Sequence, residues 1–244
     1  MTPGYHDRLL DDYMESSYKH GNILSPEQFD KASLEYKREY EGIIPSDKQA
    51  VILDFGCGAG DFLYHLKKEG YTNFFGIDAS RQQVAYCRQH VTERVDTVDG
   101  LQFLKDKPST YDLIVAHDVL EHIGKNQTLE FLDLILCALK NNGVFLARVP
   151  NMSNPFGLDA RYNDVTHEIG FTSKSLYQVF SVAGFKDIRF LPPRDIPVRS
   201  FRNKIRKILV KMLHQCIRFC YYIQDYTVPQ NLDKNITVVA RKAV

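Results

Sequence analysis

The sequence predicts a doubly wound α/β fold built on a seven-stranded, mostly parallel sheet. From residue 50 onward, short apolar runs alternate with amphipathic stretches, which is the pattern of a parallel sheet covered by helices on both faces. The 244 residues suffice for one large domain and are too few for two domains of ordinary size. An apolar fraction of 44% and a charged fraction of 25% are those of a globular protein with a core. We therefore predict one domain over residues 1–244.

Seven apolar runs are predicted to be the strands of this sheet. They are Val51–Phe55, Asn73–Ile77, Arg94–Val98, Asp112–Ala116, Val144–Val149, Phe185–Leu191 and Ile236–Ala240. The amphipathic stretches between them predict four helices, at Phe62–Glu69, Arg81–His90, Thr128–Lys140 and Lys174–Ala183. Strands and helices thus alternate along most of the chain.

Two segments lie outside this alternation. Residues 1–49 are polar, rich in tyrosine and helical in pattern, and we expect them to cover the functional site as a lid. Residues 192–234 begin with prolines and continue as a basic and apolar helix from about Arg199 to Tyr222. This second segment is an insertion between the sixth and seventh strands.

Charge, cysteines and the N-terminus restrict the class of protein. The net charge is +1, from 31 basic and 30 acidic residues, so a general nucleic-acid coat is not expected. Five cysteines without a CxxC pair indicate neither a disulfide framework nor a zinc knuckle. The stretch Met1–Leu10 lacks the apolar core of a secretory signal, and no run of about 18 uncharged apolar residues follows. These features predict a cytoplasmic protein.

A glycine-rich turn joins the first strand to the first of the four helices. It contains Asp54, Gly56, Cys57, Gly58 and Gly60. Glycines let backbone amides approach a ligand closely, at the sheet edge where such folds bind cofactors. A dinucleotide fingerprint would need glycine three positions after Gly58, where Asp61 stands, so hydride chemistry is disfavoured. The alternative is a tight turn without a ligand.

The pattern D-x-G-x-G-x-G resembles the first motif of Rossmann-like class I S-adenosylmethionine-dependent methyltransferases, over residues 45–191 and 235–242. The resemblance implies that the loop cradles the amino-acid end of S-adenosylmethionine, with S-adenosylhomocysteine as product. Two further acids stand at predicted strand ends, Asp78 before Ala79 and Asp99 before Gly100. The resemblance implies that Asp78 binds the ribose hydroxyls and that Asp99 meets the adenine amino group. Either acid alone could instead cap a helix.

Polar residues follow the fourth strand, where the resemblance places the methyl group of the cofactor. His117 and Asp118 are assigned to cofactor binding there, and Glu121 and His122 follow. If this stretch turns helically, Asp118, Glu121 and His122 share one face. The alternative is a purely structural role, in which Glu121 and His122 anchor the loop through hydrogen bonds.

The polar loop after the fifth strand, for which we expect no core role, has a pattern of its own. Asp164, Thr166, His167 and Glu168 resemble a D-x-T-H-E element of methyltransferases in bacterial surface-polysaccharide and lipopolysaccharide biosynthesis. The resemblance implies a glycan acceptor, or a nucleotide- or lipid-linked sugar precursor.

The chemistry of the acceptor decides which residues are needed. A sugar hydroxyl is a weak acid, so it needs a general base or a divalent metal ion that lowers its pKa. His167 is the first choice of base and His122 the second, with Glu121 and Asp164 beside them at the catalytic end. The alternative metal set is Asp118, Glu121, His122 and His167. It resembles that of small-RNA terminal 2′-O-methyltransferases and, less fully, of quinone-biosynthesis O-methyltransferases, which carry glutamate where Asp118 stands.

The basic insertion allows two interpretations. Its helix either packs on the domain and leaves a solvated cationic face, or rests on anionic lipid headgroups or a membrane-associated biosynthetic complex. The second interpretation would place the protein at the inner face of the bacterial inner membrane and favours a glycan acceptor.

Other functions stay open. The acceptor could be a small aromatic or quinone-like metabolite or, less in keeping with the balanced charge, an RNA end. The chain could also be a noncatalytic module that binds S-adenosylmethionine within a complex. Release of S-adenosylhomocysteine would distinguish an enzyme from such a module. The sequence does not indicate an oligomeric state.

Overall fold

Seven strands form a single sheet in the computed structural model, which describes residue 9 and residues 25–193 and 200–243. The strands are β1 (Ile52–Phe55), β2 (Phe74–Asp78), β3 (Val95–Thr97), β4 (Tyr111–His117), β5 (Leu139–Pro150), β6 (Lys186–Phe190) and β7 (Asn235–Arg241). Their order is β3-β2-β1-β4-β5-β7-β6. The first five strands pair in parallel, and β7 pairs antiparallel with both β5 and β6. The predicted seven-stranded, mostly parallel sheet is confirmed.

The helices of the described ranges flank this sheet. They are α1 (Pro26–Glu39), α2 (Asp61–Lys68), α3 (Arg81–His90), α4 (Gly100–Lys105), α5 (Thr128–Ala138), α6 (Gly157–Asn163), α7 (Ser173–Val182) and α8 (Phe201–Ile223), with a 3₁₀ turn at Leu120–His122. The four predicted helices are present, with ends within two residues of the prediction. No helix in this part of the chain is long and apolar enough to cross a bilayer.

Two local expectations were wrong. Helix α5 ends at Ala138 instead of Lys140, because β5 begins at Leu139 and is longer than the predicted run Val144–Val149. The segment 151–171, called the post-β5 segment below, is not a loop without a core role. It contains α6, and Phe171 is 1% exposed within the core because its backbone lies beside Asn151.

Apolar residues cover both faces of the sheet. On the adjacent strands β1 and β4, Leu53 and Ile114 pack in one core cluster. Their neighbours Ile52 and Leu113 pack in a second cluster on the opposite face. Side chains alternate across a strand, so a strand buried on both faces is apolar at successive positions. This explains why the strands appear in the sequence as continuous apolar runs.

The strand order reverses beside β1. This strand pairs with β2 on one side and with β4 on the other, and both pairings are parallel. The connections that follow β1 and β4 therefore leave in opposite directions and open a crevice at the carboxyl edge, where ligands bind in such folds. The glycine-rich turn and the polar residues after β4 both lie at this edge.

Helix α1 packs against α2 through a small polar contact and several aromatic rings. The Ser33 hydroxyl lies 3.0 Å from Nδ1 of His65, and both residues are buried. Tyr36 contacts the ring of Phe62 edge-on. This helix is the described part of the predicted N-terminal lid. Residues 1–8 and 10–24 of the lid lie outside the described residues.

The buried imidazole of His65 makes the stability of the fold depend on pH. Burial lowers the pKa of His65 to about 4. Because the unfolded chain binds a proton below about pH 6.5 and the folded protein binds it only near pH 4, stability should fall as the pH is lowered through this window. We expect His65→Gln to remove up to about 3 kcal/mol of that pH-dependent loss, measured by denaturant unfolding at pH 7, 5.5 and 4.

The exposed His90 provides the matched control for this experiment. The variant His90→Gln should keep the pH profile of the wild type. Parallel profiles for His65→Gln and the wild type would show that His65 does not cause the loss.

Candidate active site

The glycine-rich turn has a backbone that other residues adopt only under strain. Gly56, Gly58 and Gly60 all have positive φ angles, of 72°, 54° and 95°. A Cβ atom on Gly56 would collide with Val119, and one on Gly58 would lie 2.7 Å from Oε1 of Gln83. Glycine is thus required by conformation and by space, and the turn presents bare backbone at the carboxyl edge.

Gly60 has a second explanation. A Cβ atom there would lie 2.5 Å from Sγ of Cys87, which is on α3. The cofactor role predicted for Gly60 therefore coexists with a packing requirement between α2 and α3. Cys57, in the same turn, is buried, and burial raises the pKa of its thiol.

Asp54 carries a buried oxygen that nothing in the described chain satisfies. Its side chain is 2% exposed, and Oδ2 has no hydrogen-bond partner. Burial, and then the nearby acids Asp78 and Asp61, raises the pKa of Asp54. A buried acceptor without a donor costs about 1–3 kcal/mol. The position suits the ammonium group at the amino-acid end of S-adenosylmethionine, which would supply both the donor and the opposite charge.

Asp78 connects the end of β2 to the glycine-rich turn. Its Oδ2 accepts the Gly58 amide at 2.8 Å, and its Oδ1 accepts the Ser80 amide at 2.8 Å, on either side of Ala79. Burial raises the pKa of Asp78, and these backbone bonds oppose the rise. Each carboxylate oxygen has a second lone pair. The side chain can therefore hold the turn and still accept a pair of ribose hydroxyls.

Asp99 does act as a helix cap. Its Oδ1 accepts the Gln102 amide at 3.0 Å at the start of α4, and its side chain is exposed. A Cβ atom on Gly100 would collide with the ring of Phe55, so glycine is needed there for packing. These structural roles leave the second oxygen of Asp99 for the predicted contact with adenine.

Tyr36 of α1 and Tyr40, the residue that caps the end of this helix, reach His117 at the end of β4. The Tyr40 hydroxyl lies 2.7 Å from Nε2 of His117. The rings of Tyr36 and Tyr40 lie within 14° of parallel to the imidazole, with centroids 5.2 and 5.5 Å away. Neither tyrosine was predicted from the sequence to be part of the site. Their spacing of four residues in a helical segment is the signal that could have found them.

Asp118 pairs with a partly buried arginine from β5. Nη2 of Arg148 contacts Oδ2 of Asp118, and Nε lies 3.4 Å from Oδ1. Asp118 has a φ of 54°, so the turn beginning at Leu120 does not include it. Asp118 therefore does not share a face with Glu121 and His122 as predicted. Arg148 was missed, although it is the one charged residue in the apolar run Val144–Val149.

Three of the four predicted metal ligands lie together. One ligand atom each from Glu121, His122 and His167 lies within 4.8 Å of the others. The two imidazole rings meet edge to face, with centroids 4.6 Å apart. Asp118 is not part of this group, because its carboxylate is held by Arg148.

Hydrogen bonds at Nδ1 fix the tautomers of both histidines. The Thr166 hydroxyl donates to Oδ1 of Asp164 at 2.6 Å, so it accepts the proton of Nδ1 of His122 at 2.8 Å. Nδ1 of His167 lies 2.7 Å from the carbonyl oxygen of Ala160 and must donate to it. Each ring in its neutral form therefore carries its lone pair on Nε2.

Glu121 is a buried carboxyl group without a partner in the described chain. Its side chain is 2% exposed, and neither carboxyl oxygen has a hydrogen bond. Burial, and then Asp118, raises the pKa of Glu121. Burial, and then His167, lowers the pKa of His122 to about 4, so this ring is neutral at pH 7. Two imidazoles and a carboxylate form a donor set that fits Mn²⁺, Fe²⁺ or Zn²⁺.

The backbone of Glu121 also holds the post-β5 segment. Its carbonyl oxygen accepts the amides of Glu168 at 2.6 Å and Ile169 at 3.2 Å. These bonds bring His167 next to His122 across 44 residues of intervening sequence. The anchoring role considered for this turn is therefore present in its backbone.

Comparison with known proteins assigns the family. Residues 13–189 match a family described as a methyltransferase domain. The chain belongs to this methyltransferase family. Together with the glycine-rich turn and the strand-end acids, the match identifies the chain as a methyltransferase domain.

Curated relatives match a part of the chain. Methoxy mycolic acid synthase MmaA3 of Mycobacterium tuberculosis is 30% identical over 99 residues, which are 39% of this chain and 33% of the relative. Cyclopropane-fatty-acyl-phospholipid synthase of Escherichia coli is 26% identical over 142 residues, 57% of this chain and 36% of the relative. The mitochondrial ubiquinone biosynthesis O-methyltransferase of Schizosaccharomyces pombe is 28% identical over 98 residues, which are 38% of this chain and 35% of the relative. The chain spans about a third of the length of each.

Solved structures share the fold over nearly the whole chain. A SAM-dependent methyltransferase from Archaeoglobus fulgidus has a TM-score of 0.68 at 20% identity, covering 95% of this chain and 100% of that one. Phosphoethanolamine N-methyltransferase 2 of Haemonchus contortus, in complex with S-adenosyl-L-methionine, has a TM-score of 0.64 at 17% identity, covering 100% of this chain and 61% of that one. The predicted fold class is confirmed.

We predict that Asp78→Ala weakens binding of S-adenosylhomocysteine by about 1–3 kcal/mol, because charge-assisted hydrogen bonds to the ribose are lost. Isothermal titration calorimetry measures the change. The control is Asp96→Ala on β3, where the carboxylate is exposed and pairs with Arg88. Equal affinities in a folded Asp78→Ala protein and the wild type would remove Asp78 from the ribose site.

Proposed function

We propose that this enzyme transfers the methyl group of S-adenosylmethionine to a hydroxyl oxygen, and that the acceptor is a sugar hydroxyl of a bacterial surface glycan or of its nucleotide- or lipid-linked precursor. The observation that carries the proposal is the pair His122 and His167, each with Nδ1 committed as a donor and the lone pair on Nε2. A hydroxyl nucleophile needs a base of this kind or a divalent ion that lowers its pKa. The D-x-T-H-E resemblance around His167 supports the glycan class of acceptor.

The reaction requires one bond to form as another breaks. The acceptor oxygen attacks the methyl carbon in line with the sulfonium sulfur, the sulfur keeps the electron pair of the broken bond, and the cofactor leaves as a neutral thioether. The acceptor proton passes to Nε2 of His167, our first choice of base. Alignment of donor and acceptor supplies a large part of the rate, and removal of the proton supplies about 10² to 10⁴ more.

Asp164 acts as a positioning residue. It accepts the Thr166 hydroxyl, which in turn accepts Nδ1–H of His122. These two hydrogen bonds fix the orientation of the His122 ring, and the negative charge of Asp164 raises the pKa of His122 in opposition to burial. The arrangement supports His122 as the second candidate for the base.

A divalent ion is a second way to activate the hydroxyl, and the unpartnered carboxyl group of Glu121 favours it. Glu121, His122 and His167 would hold the ion. It would act as a Lewis acid that lowers the pKa of a hydroxyl bound to it. Both alternatives use the same residues toward the same class of acceptor.

A quinone-like phenol is a second candidate acceptor. The observation that favours it is the partial similarity to the ubiquinone biosynthesis O-methyltransferase of fission yeast. An acceptor panel of nucleotide sugars, lipid-linked glycans and catechol-like phenols separates the two classes by release of S-adenosylhomocysteine. Turnover with phenols alone would overturn the glycan proposal, and binding of the cofactor without turnover on any acceptor would indicate a noncatalytic module.

We predict that His167→Gln slows the chemical step by about 10² to 10⁴ without changing cofactor affinity, because His167 lies apart from the three strand ends that hold the cofactor. Single-turnover kinetics and calorimetry measure the two quantities. The variant His122→Gln tests the second candidate base in parallel, and His90→Gln is the control. A wild-type rate for His167→Gln would exclude His167 from the reaction.

We predict that a chelator distinguishes the two ways of activating the hydroxyl. A metal enzyme should lose activity in EDTA and regain it with Mn²⁺ more than with Ca²⁺, because imidazole ligands suit Mn²⁺ better. Glu121→Gln should then raise the Mn²⁺ concentration needed for half of the activity. Full activity after exhaustive chelation would leave the general base as the mechanism.

A further inference from the structure

Helix α8 exposes its apolar face, which an amphipathic helix on a globular domain normally buries against the core. Eight of its large apolar residues are 43% to 78% exposed, and none of its residues is fully buried. They recur at intervals of three and four residues and form one stripe, composed of Phe201, Ile205, Ile208, Leu209, Met212, Leu213, Phe219 and Ile223. This apolar stripe is about 35 Å long at 1.5 Å per residue.

The opposite face of α8 is the one turned to the rest of the protein. The partly buried positions are Asn203, Lys207, Val210, His214, Ile217, Arg218 and Tyr221, which also recur at intervals of three and four. They lie about half a turn from the apolar stripe, since successive residues are 100° apart. The packing interpretation of the insertion is therefore wrong for its apolar face. The helix contacts the domain with a mixed polar face and leaves the stripe outside.

Cations line both sides of the apolar stripe. Lys204 and Lys211 lie along one side, and Arg202 and Arg206 lie along the other, all exposed. The helix contains six basic residues and no acid. Outside the helix 25 basic and 30 acidic residues remain, a net charge of −5. An anionic surface would therefore attract α8 and repel the rest of the molecule, which orients the protein with this helix inward.

A second apolar group lies on the post-β5 segment, which also carries His167. Phe156, Leu158, Tyr162 and Val165 are 61% to 75% exposed. The end of α8 is attached to this segment, because the Tyr221 hydroxyl donates to the carbonyl oxygen of Ser153 at 3.0 Å. A second bond follows from Asn154 to the carbonyl oxygen of Leu232 at 2.9 Å. The helix, through the face opposite the stripe, is thus connected to the segment at the reaction end of the site.

We propose that α8 docks on an anionic lipid bilayer, with the apolar stripe among the acyl chains and the flanking cations at the headgroups. An interfacial helix needs an apolar face bordered by Lys and Arg, which is the composition and arrangement found here. A second copy of the chain is a poor occupant, because two stripes in contact would bring cations against cations with no acid to pair them. The inference is independent of which hydroxyl is methylated.

Vesicle sedimentation tests the proposal with the full chain. We use vesicles of phosphatidylcholine alone and of phosphatidylcholine mixed with phosphatidylglycerol. The wild type should sediment with the mixed vesicles, and a higher salt concentration should weaken binding. The variant Lys204→Gln, Arg206→Gln, Lys211→Gln should bind about 100-fold more weakly, since each cation near such a surface contributes roughly fivefold. The matched control removes three exposed lysines elsewhere, in Lys31→Gln, Lys105→Gln, Lys174→Gln.

A second set of variants tests the apolar stripe. Ile208→Ser, Met212→Ser, Phe219→Ser should abolish sedimentation while leaving the melting temperature and the affinity for S-adenosylhomocysteine unchanged, because all three side chains are exposed. The control Leu129→Ser, Tyr177→Ser, Val182→Ser changes exposed apolar residues on other helices and should bind as the wild type does.

Three results would overturn the proposal. The wild type could stay in the supernatant with mixed vesicles, the stripe variant could bind them as well as the wild type, or light scattering could show a dimer that only the stripe variant dissociates. The last result would assign the stripe to a second copy of this chain.

Discussion

The reversal of strand order beside β1 is the constraint on which the site depends. Because β2 and β4 both run parallel to β1, the polar residues after these strands meet at one edge of the sheet. The parallel pairing of β4 with β5 also positions charged residues of the site. It sets His117 opposite Arg148 and brings Asp118 within reach of that guanidinium. Backbone pairing thus selects which charged side chains meet.

The site gathers buried carboxyl groups that weaken the fold by themselves. Asp54 and Glu121 both have oxygens without hydrogen bonds, in surroundings that disfavour a negative charge. A core selected for stability alone would contain apolar residues there. Such groups persist where a ligand supplies the missing donors or charge, so ligand binding and fold stability should be coupled in this enzyme.

The sequence predicted the sheet well because both of its faces are buried. A strand such as Val144–Val149 is apolar at nearly every position, and its place in the chain is clear. The strand-end acids were equally visible, because Asp78 and Asp99 each follow an apolar run directly. Prediction was weaker for contacts between residues that are far apart in the sequence. The pairing of Asp118 with Arg148 depends on the register between β4 and β5, which composition does not contain.

Orientation was the other feature beyond the reach of the sequence. The periodicity of α8 shows that it has an apolar and a cationic face, but periodicity does not say which face meets the protein. In the same way, a glycine pattern identifies a turn but does not show why glycine is needed there. A ligand or a neighbouring side chain of the protein could approach the backbone closely. Gly60 and Gly100 meet side chains of this protein, Cys87 and Phe55, as well as standing in the predicted cofactor motif.

The place of β7 has a consequence for how the molecule assembles. β7 lies between β5 and β6 in the sheet, but it follows both of them in the chain, after the α8 insertion. The position between β5 and β6 is therefore empty until β7 pairs there. Contacts of such long sequence separation form slowly. Until then, one side of β5 is an uncovered edge that can pair with another chain. Folding of this enzyme should therefore end with strand insertion, and chaperones or low concentration should raise its yield by protecting that edge.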